Sequence, residues 1–161
     1  MNLENLTKKL STLALSMFRK DFFGIYHGSL SAKTESNRFI INTKEAVFDS
    51  LDEESLIELY FKKDYRWNHA SIDASIHLSI YSQISEAKYI CFTMPPFTTA
   101  YSLEHNLIEP KDYFGYKEIG SIEIVNPNQF EDWYERADSK IAHYFQTKKT
   151  NIMVIRGYGV Y

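Results

Sequence analysis

Apolar residues recur along the chain with two different spacings, and these spacings predict its secondary structure. In residues 2–20, Leu and Met return every three or four positions, which is the period of an amphipathic helix. A helical period also runs through Ser71–Ile84 and Pro127–Phe145. A fourth helix, Phe97–His105, is predicted directly after two adjacent prolines, which favour a helix start.

Shorter apolar runs between these helices predict β-strands. The runs that we assign to strands are GSLSAK (28–33), RFIIN (38–42), Ser55–Lys62, Lys88–Met94, Gly120–Val125 and TNIMVIRG (150–157). The first two flank the turn-forming residues TESN and predict a hairpin. Strands that alternate with helices favour one α/β domain in three layers.

Composition and charge narrow the classes of partner. The net charge is −3 and no long basic run occurs, which argues against nucleic acid and anionic membranes as partners. No apolar run approaches the ~18 residues of a membrane span. The single cysteine, Cys91, has no internal disulfide partner, so we expect a reducing, cytoplasmic location. Aromatic residues reach 16% of the chain, which indicates aromatic-rich packing or an interface.

Five short motifs follow one another in a recognisable order. They are GSLS at Gly28–Ser31, SIDASIH at Ser71–His77, FTMPPFTTAYS at Phe92–Ser102, YKEIGS at Tyr116–Ser121, and RGYGVY at the end. In order and spacing they resemble the class II aldolase/adducin family across nearly the whole chain. That family has a Gly-Asn-x-Ser hairpin, a Ser-Ser-Glu-x-x-x-His helix, a His-x-His-Pro-Pro strand end, a Tyr-x-x-x-Gly-Ser segment and a His-Gly strand end. The resemblance implies a three-layer α/β/α domain with a mainly antiparallel central sheet.

The resemblance also implies that a metal site has been lost. Enzymes of the family bind a divalent metal, usually zinc, through three histidines, which correspond here to Phe92, Met94 and Tyr158. A phenyl ring is no ligand, a thioether prefers soft ions such as copper(I), and phenolate is an uncommon ligand. We therefore predict no metal and no cofactor, and we interpret Phe92 and Met94 as packing residues.

Other positions of the family's site are changed as well. The acid/base glutamate corresponds to Asp73, which keeps a carboxylate but is one methylene shorter. By the same correspondence, Ser29, Lys44 and Ser71 are the candidate substrate-binding residues. Lys44 is followed by Glu45 where the family has a phosphate-binding Thr-Gly, so a glycine that lets backbone approach a phosphate is missing.

Several of these residues allow more than one interpretation. Asp73 and His77 lie one helical turn apart and could form a metal half-site or an acid/base pair, but we favour a surface ion pair or a buried structural histidine. His27 could act as a replacement base, although we favour a loop histidine. We expect Cys91 to be an inert buried thiol.

The leading functional hypothesis is a non-catalytic aldolase-like domain that is retained for protein interaction or assembly, as in the adducin head domain. Because the family's enzymes are usually cyclic homotetramers, we expect a homo-oligomer, with an unidentified protein partner as a further possibility. One alternative is a divergent lyase or epimerase for a small sugar phosphate, using Asp73, His27, Tyr116 or Tyr158. The other is a metabolite-binding sensor. We expect a single domain over residues 1–161 that lacks the family's C-terminal helices.

Overall fold

Helices and strands alternate along the chain in the computed structural model, which describes residues 3–161. The helices are α1 (Leu3–Phe18), α2 (Ala74–Gln83), α3 (Pro96–Glu104) and α4 (Trp133–Lys148). The strands are β1 (Ser29–Glu35), β2 (Arg38–Asn42), β3 (Leu56–Tyr60), β4 (Tyr89–Phe92), β5 (Leu107–Ile108), β6 (Ile122–Val125), β7 (Val154–Ile155) and β8 (Gly159–Val160). A 3-10 turn lies at Tyr65–His69 and a π-helical turn at Gly115–Ile119. The predicted helix start at residue 2, and the side chain of Leu3, lie outside the described residues. No helix within residues 3–161 has the length and apolar character needed to cross a membrane.

The strands form two four-stranded sheets that meet at one point. In the first sheet the order is β3-β2-β1-β4, and every neighbouring pair is antiparallel. In the second the order is β5-β6-β7-β8, with β6 and β7 parallel. The amide of Thr93 donates to the carbonyl of Val160 (2.9 Å), and the amide of Val160 donates back (2.8 Å). The two sheets thus form one mainly antiparallel layer, which confirms the prediction.

Helices cover both faces of this layer. On one face α1 contributes the buried side chains Leu6, Leu10 and Ala14, which share a core with Leu30, Ala32 and Ile40 of the sheet. On the other face α2 and α4 contribute Ile76, Ile80, Ala137 and Ile141, which share a second core with Phe39, Ile41 and Met153. The chain therefore has the predicted three-layer α/β/α architecture.

Strand β1 carries the alternation that positions the candidate site. Successive side chains of a strand point to opposite faces of the sheet. Leu30 and Ala32 belong to the core beneath α1. Ser29 and Ser31 therefore face α2, where the hydroxyls of both serines contact His77.

Helix α2 is shorter than the predicted helix Ser71–Ile84. It begins at Ala74, because the preceding residues form a turn in which the amide of Ala74 donates to the carbonyl of Ser71 (3.0 Å). Ile72, which the helical period placed in the core, lies in this turn and is 69% exposed. The turn puts Asp73 at the helix cap, where its side chain makes no capping hydrogen bond.

Helix α4 is displaced along the sequence relative to the predicted helix Pro127–Phe145. It begins only at Trp133, because Asn128 adopts a left-handed conformation (φ +66°) that a continuous helix does not allow. Phe130 consequently lies before the helix and is exposed, contrary to its predicted place on the apolar face.

The predicted final strand, residues 150–157, is divided by a turn. Only β7 is extended within it, and the chain reverses at Gly157, whose φ of +63° favours glycine. It then returns antiparallel to β7 as β8. This return places the last residue, Tyr161, inside the core beneath α2 and α4.

Candidate functional site

A cleft of about 310 Å³ lies where the ends of several elements converge. It is lined by Tyr26, His27, Gly28, Asn42, Thr43, Lys44, Ser71, Ile72, Asp73, Phe92, Met94, Tyr134, Gly157 and Tyr158. These residues come from the approach to β1, the end of β2, the turn before α2, the end of β4, the start of α4 and the turn between β7 and β8. The structure thus brings together segments that are distant in sequence.

Three stacked aromatic rings lie beside this cleft, and two of them, those of Phe92 and Tyr158, line it. The ring of Phe92 lies 4.8 Å from the ring of Tyr158 and 4.8 Å from the ring of Tyr161, at interplanar angles of 29° and 28°. The ring of Phe92 is therefore stacked with two phenol rings, and only 5% of its surface is exposed. Contacts between aromatic rings at these separations add to the stabilisation from burial.

Gly159 permits this packing. A side-chain carbon added at Gly159 would lie 2.4 Å from the carbonyl oxygen of Thr93 and 2.6 Å from the ring of Phe92. Its φ of +153° is also one that residues with side chains rarely adopt. Glycine therefore lets β8 pass against the end of β4, and this close approach brings the ring of Tyr161 into contact with that of Phe92.

Three side chains of this region stand at the positions that correspond to metal-binding histidines in the resemblance, and they do not suit zinc. Phe92 has no donor atom, and Met94 offers a thioether that is 36% exposed. The hydroxyl of Tyr158 lies 3.0 Å from that of Tyr134, to which it donates. Burial, and then the charge of Asp73, raise the pKa of Tyr158 far above its ordinary value, so the phenol stays protonated. Within residues 3–161, no group of three His, Cys, Asp or Glu side chains is arranged to hold a metal ion.

Asp73 is the one acidic side chain of the cleft, and it is 3% exposed. Burial raises the pKa of its carboxyl from 3.8 to about 6. Its Oδ1 atom has no hydrogen-bond partner among the described residues. No Lys, Arg or His of residues 3–161 forms an ion pair with it. The cleft thus holds a buried carboxylate without a counter-ion.

His77 lies behind Asp73 and is completely buried. Its Nε2 atom is 2.9 Å from Oγ of Ser29, and its Nδ1 atom is 2.6 Å from Oγ of Ser31. Burial lowers its pKa to about 3, so the imidazole is neutral. The structure therefore supports the buried structural histidine; the alternative surface ion pair with Asp73 is wrong.

The candidate substrate-binding residues have different environments. Lys44 and Ser71 line the cleft, and Lys44 is exposed at its rim. Ser71 also shapes α2, because its Oγ accepts a hydrogen bond from the amide of Asp73 at 3.3 Å. Ser29 is fully buried and its hydroxyl is bonded to His77. Of the residues named for altered chemistry, His27 lines the cleft, whereas Tyr116 lies outside it and is 74% exposed.

Sequence reasoning missed three residues of this region. Asn42 lines the cleft and links two elements: its Oδ1 accepts from the amide of Leu30 (2.8 Å), and its carbonyl accepts from the amide of Ser71 (2.9 Å). Tyr134 and Tyr161 complete the aromatic wall. The high content of tyrosine was a signal for such packing, but it does not identify particular residues.

The chain is similar to a known family and to several solved structures. The family described as "Class II Aldolase and Adducin N-terminal domain" matches residues 8–161. L-fuculose-1-phosphate aldolase from Thermus thermophilus superimposes with a TM-score of 0.85 over 96% of this chain and 76% of its own, at 18% identity. YgbL from Klebsiella pneumoniae, described as a putative aldolase/epimerase/decarboxylase, gives 0.81 over 99% and 78%, at 17% identity.

A more distant likeness extends to the N-terminal class II aldolase domain of a conserved protein from Thermoplasma acidophilum. It gives a TM-score of 0.66 over 99% of this chain and 84% of that chain, at 12% identity. At such identities the likeness establishes the fold alone. No curated protein sequence matches the chain.

Proposed function

Because the chain belongs to the family of class II aldolase and adducin N-terminal domains, we propose that it is an aldolase-like domain that has no metal-dependent activity and is retained for assembly. The observation that carries this proposal is the stacking of Phe92 with Tyr158 and with Tyr161. Packed rings stand where the family resemblance puts metal ligands, and they offer neither nitrogen nor carboxylate donors.

The loss of these donors has a large effect on aldol chemistry. A bound metal ion stabilises the negative charge that develops on a substrate oxygen by several kcal/mol. No residue that lines the cleft replaces the positive charge of the metal ion. The one acidic group, Asp73, adds negative charge, and Lys44 lies at the exposed rim. Since ~1.4 kcal/mol corresponds to a factor of ten in rate, we expect retro-aldol cleavage at the uncatalysed level.

Exposed aromatic side chains support the role in assembly. Between residues 96 and 119, the exposed large apolar side chains are Phe97, Tyr101, Leu103, Leu107, Tyr113, Phe114, Tyr116 and Ile119. Phe97 is 91% exposed. Aromatic residues on a protein surface are enriched where other proteins bind. We infer that this segment, residues 96–119, contacts a second copy of the chain, because the family's enzymes are usually cyclic homotetramers.

Two measurements test the two halves of the proposal. A coupled aldehyde assay on fuculose and ribulose phosphates, with added zinc, manganese or cobalt, is expected to give no turnover above the blank. Turnover that disappears in Asp73→Ala would instead favour the alternative of a divergent lyase or epimerase.

Light scattering tests the assembly. The wild-type chain is expected to be oligomeric, and Phe97→Ser combined with Tyr116→Ser is expected to reduce its mass. Tyr65→Ser, at an equally exposed aromatic on the 3-10 turn, is the control that should leave the mass unchanged. A wild-type chain that is monomeric at all concentrations would contradict the assembly role. The cytoplasmic location and the single domain over residues 1–161 stay predictions.

A further inference from the structure

The buried carboxyl of Asp73 is the feature of the cleft that the role in assembly leaves unexplained. Proteins rarely bury a charge without a partner of opposite sign, because removal of the charge from water is costly. Asp73 is 3% exposed and lines the cleft, and no cation of residues 3–161 lies within ion-pair distance of it. A carboxyl in this environment favours a cationic partner from outside the chain.

The groups around Asp73 do not supply that positive charge. His77 is neutral, as its pKa of about 3 shows. The phenols of Tyr158 and Tyr161 are buried and have their pKa values raised, first by burial and next by the charge of Asp73. Hydrogen bonding with Ser29 and Tyr161 lowers the pKa of the carboxyl by less than burial raises it, and no positive charge of residues 3–161 compensates the carboxylate. At neutral pH the carboxyl is mostly ionised, because its pKa is about 6.

The rest of the cleft suits the organic part of a small ligand. Beside the carboxyl the cleft is lined by four aromatic rings and a flexible thioether. They belong to Tyr26, Phe92, Tyr134, Tyr158 and Met94 and supply apolar surface. A volume of about 310 Å³ is at the lower end of the range for small-molecule sites. The positive group at the rim, Lys44, is exposed, so water and ions screen its repulsion of a cation.

We propose that the cleft binds a small organic cation, a primary amine with an apolar body, whose ammonium group pairs with the carboxyl of Asp73. This ligand class is opposite in charge to a sugar phosphate. The site does not depend on the assembly role proposed above, and either can fail without the other. An ammonium offers three donors to a carboxyl whose Oδ1 has no hydrogen-bond partner among the described residues, and hydrogen bonds between charged groups are the stronger kind.

Matched probes test the charge of the ligand directly. Benzylamine and benzyl alcohol have nearly the same shape, and at pH 7.5 they differ by one positive charge. We would titrate each into the full chain and follow backbone amide signals by NMR. The amine is expected to bind at least ~10-fold more tightly than the alcohol, because only the amine forms a charge-assisted hydrogen bond. The largest shifts are expected at Asp73 and its neighbours in the cleft.

Two variants assign the effect to the carboxyl. Asp73→Asn keeps the shape of the side chain and is expected to weaken amine binding by ~10-fold or more while leaving the alcohol unchanged. Asp49→Asn makes the same change of net charge at an exposed position and should leave both affinities as in the wild type. Thermal unfolding of each variant shows that it is folded.

Four results would overturn the proposal. The first is equal affinity for the two probes, which would make the cleft a site for neutral molecules. The second is the absence of saturable amine binding to the folded wild type. The third is an equal loss of amine affinity in Asp73→Asn and Asp49→Asn. The fourth is saturable binding of dihydroxyacetone phosphate in the cleft in place of the amine, which would favour the sugar-phosphate alternative.

Discussion

Replacement of Asp73 by Asn should make the protein more stable at neutral pH, although it removes the one acidic group of the cleft. Burial raises the pKa of the carboxyl from 3.8 in the unfolded chain to about 6 in the folded one. At a pH between these values the folded state holds the proton more tightly than the unfolded state does. Below this range the carboxyl is protonated in both states and costs little stability.

The magnitude follows from the size of the shift. One pKa unit corresponds to about 1.4 kcal/mol, so a shift of about two units costs about 3 kcal/mol once both states are ionised. As the pH rises through the folded pKa, this amount is lost from the free energy of unfolding of the wild type but not of Asp73→Asn. We expect the gap between the two proteins to widen by about 1 kcal/mol between pH 5 and pH 7.5.

Urea unfolding at the two pH values measures this gap. The pH dependence is the relevant readout, because an amide can differ from a carboxyl in packing but does not titrate. Asp52→Asn is the control: the carboxylate of Asp52 accepts from the amide (2.8 Å) and the hydroxyl (2.6 Å) of Ser55, and the hydroxyl bond in particular lowers its pKa. The stability that the Asp52 carboxylate supplies is fully present by pH 5. The difference in free energy of unfolding between the wild type and Asp52→Asn is therefore expected to stay constant between the two pH values. A gap that is also constant for Asp73→Asn would refute the reasoning.

Three further predictions concern the aromatic wall. Phe92→Ala leaves a cavity between two phenols and should lower the free energy of unfolding by ~3–5 kcal/mol in urea; a loss below ~1 kcal/mol would show that the stack contributes little. Gly159→Ala should also destabilise the fold, by more than ~1 kcal/mol, because the added carbon would lie 2.4 Å from a backbone oxygen; an unchanged melting temperature would contradict this. Phe92→His, Met94→His and Tyr158→His together should create zinc affinity in calorimetry, and a folded triple variant without it would show that the correspondence to the family's histidines is wrong.

The sequence predicted the elements whose pattern is local and missed those set by contacts between distant residues. The hairpin of β1 and β2 was predictable because the turn-forming residues TESN separate two short strand-like runs, although both faces of these strands are buried. The predicted start of α2 was wrong because Ile72 fits the helical period but precedes the helix. The helix start is determined by a hydrogen-bonded turn in which the carbonyl of Ser71 accepts from the amide of Ala74. The two residues of β8 carry no periodic signal, and their position depends on the left-handed turn at Gly157.

The candidate site was predictable to a similar extent. Helical spacing places Asp73 and His77 on neighbouring turns, but spacing alone does not show that this face points inward. The partners of His77 are two serines that lie 46 and 48 residues earlier in the chain. Tyr161 was missed for the same reason, because its ring meets Phe92 only after the chain has reversed.

The hydrogen bonds of His77 belong to a row of side chains that runs from Lys88 to the cleft. The hydroxyl of Tyr81 lies 3.5 Å from the carbonyl of Lys88, to which it donates, and 2.8 Å from Oγ of Ser31. Oγ of Ser31 contacts Nδ1 of the imidazole, and Oγ of Ser29 contacts Nε2. Hydrogen bonding with Ser29 also lowers the pKa of the Asp73 carboxyl, against the larger effect of burial. The serine that holds the imidazole in the core therefore also affects the charge of the cleft, so a substitution of Ser29 would change both.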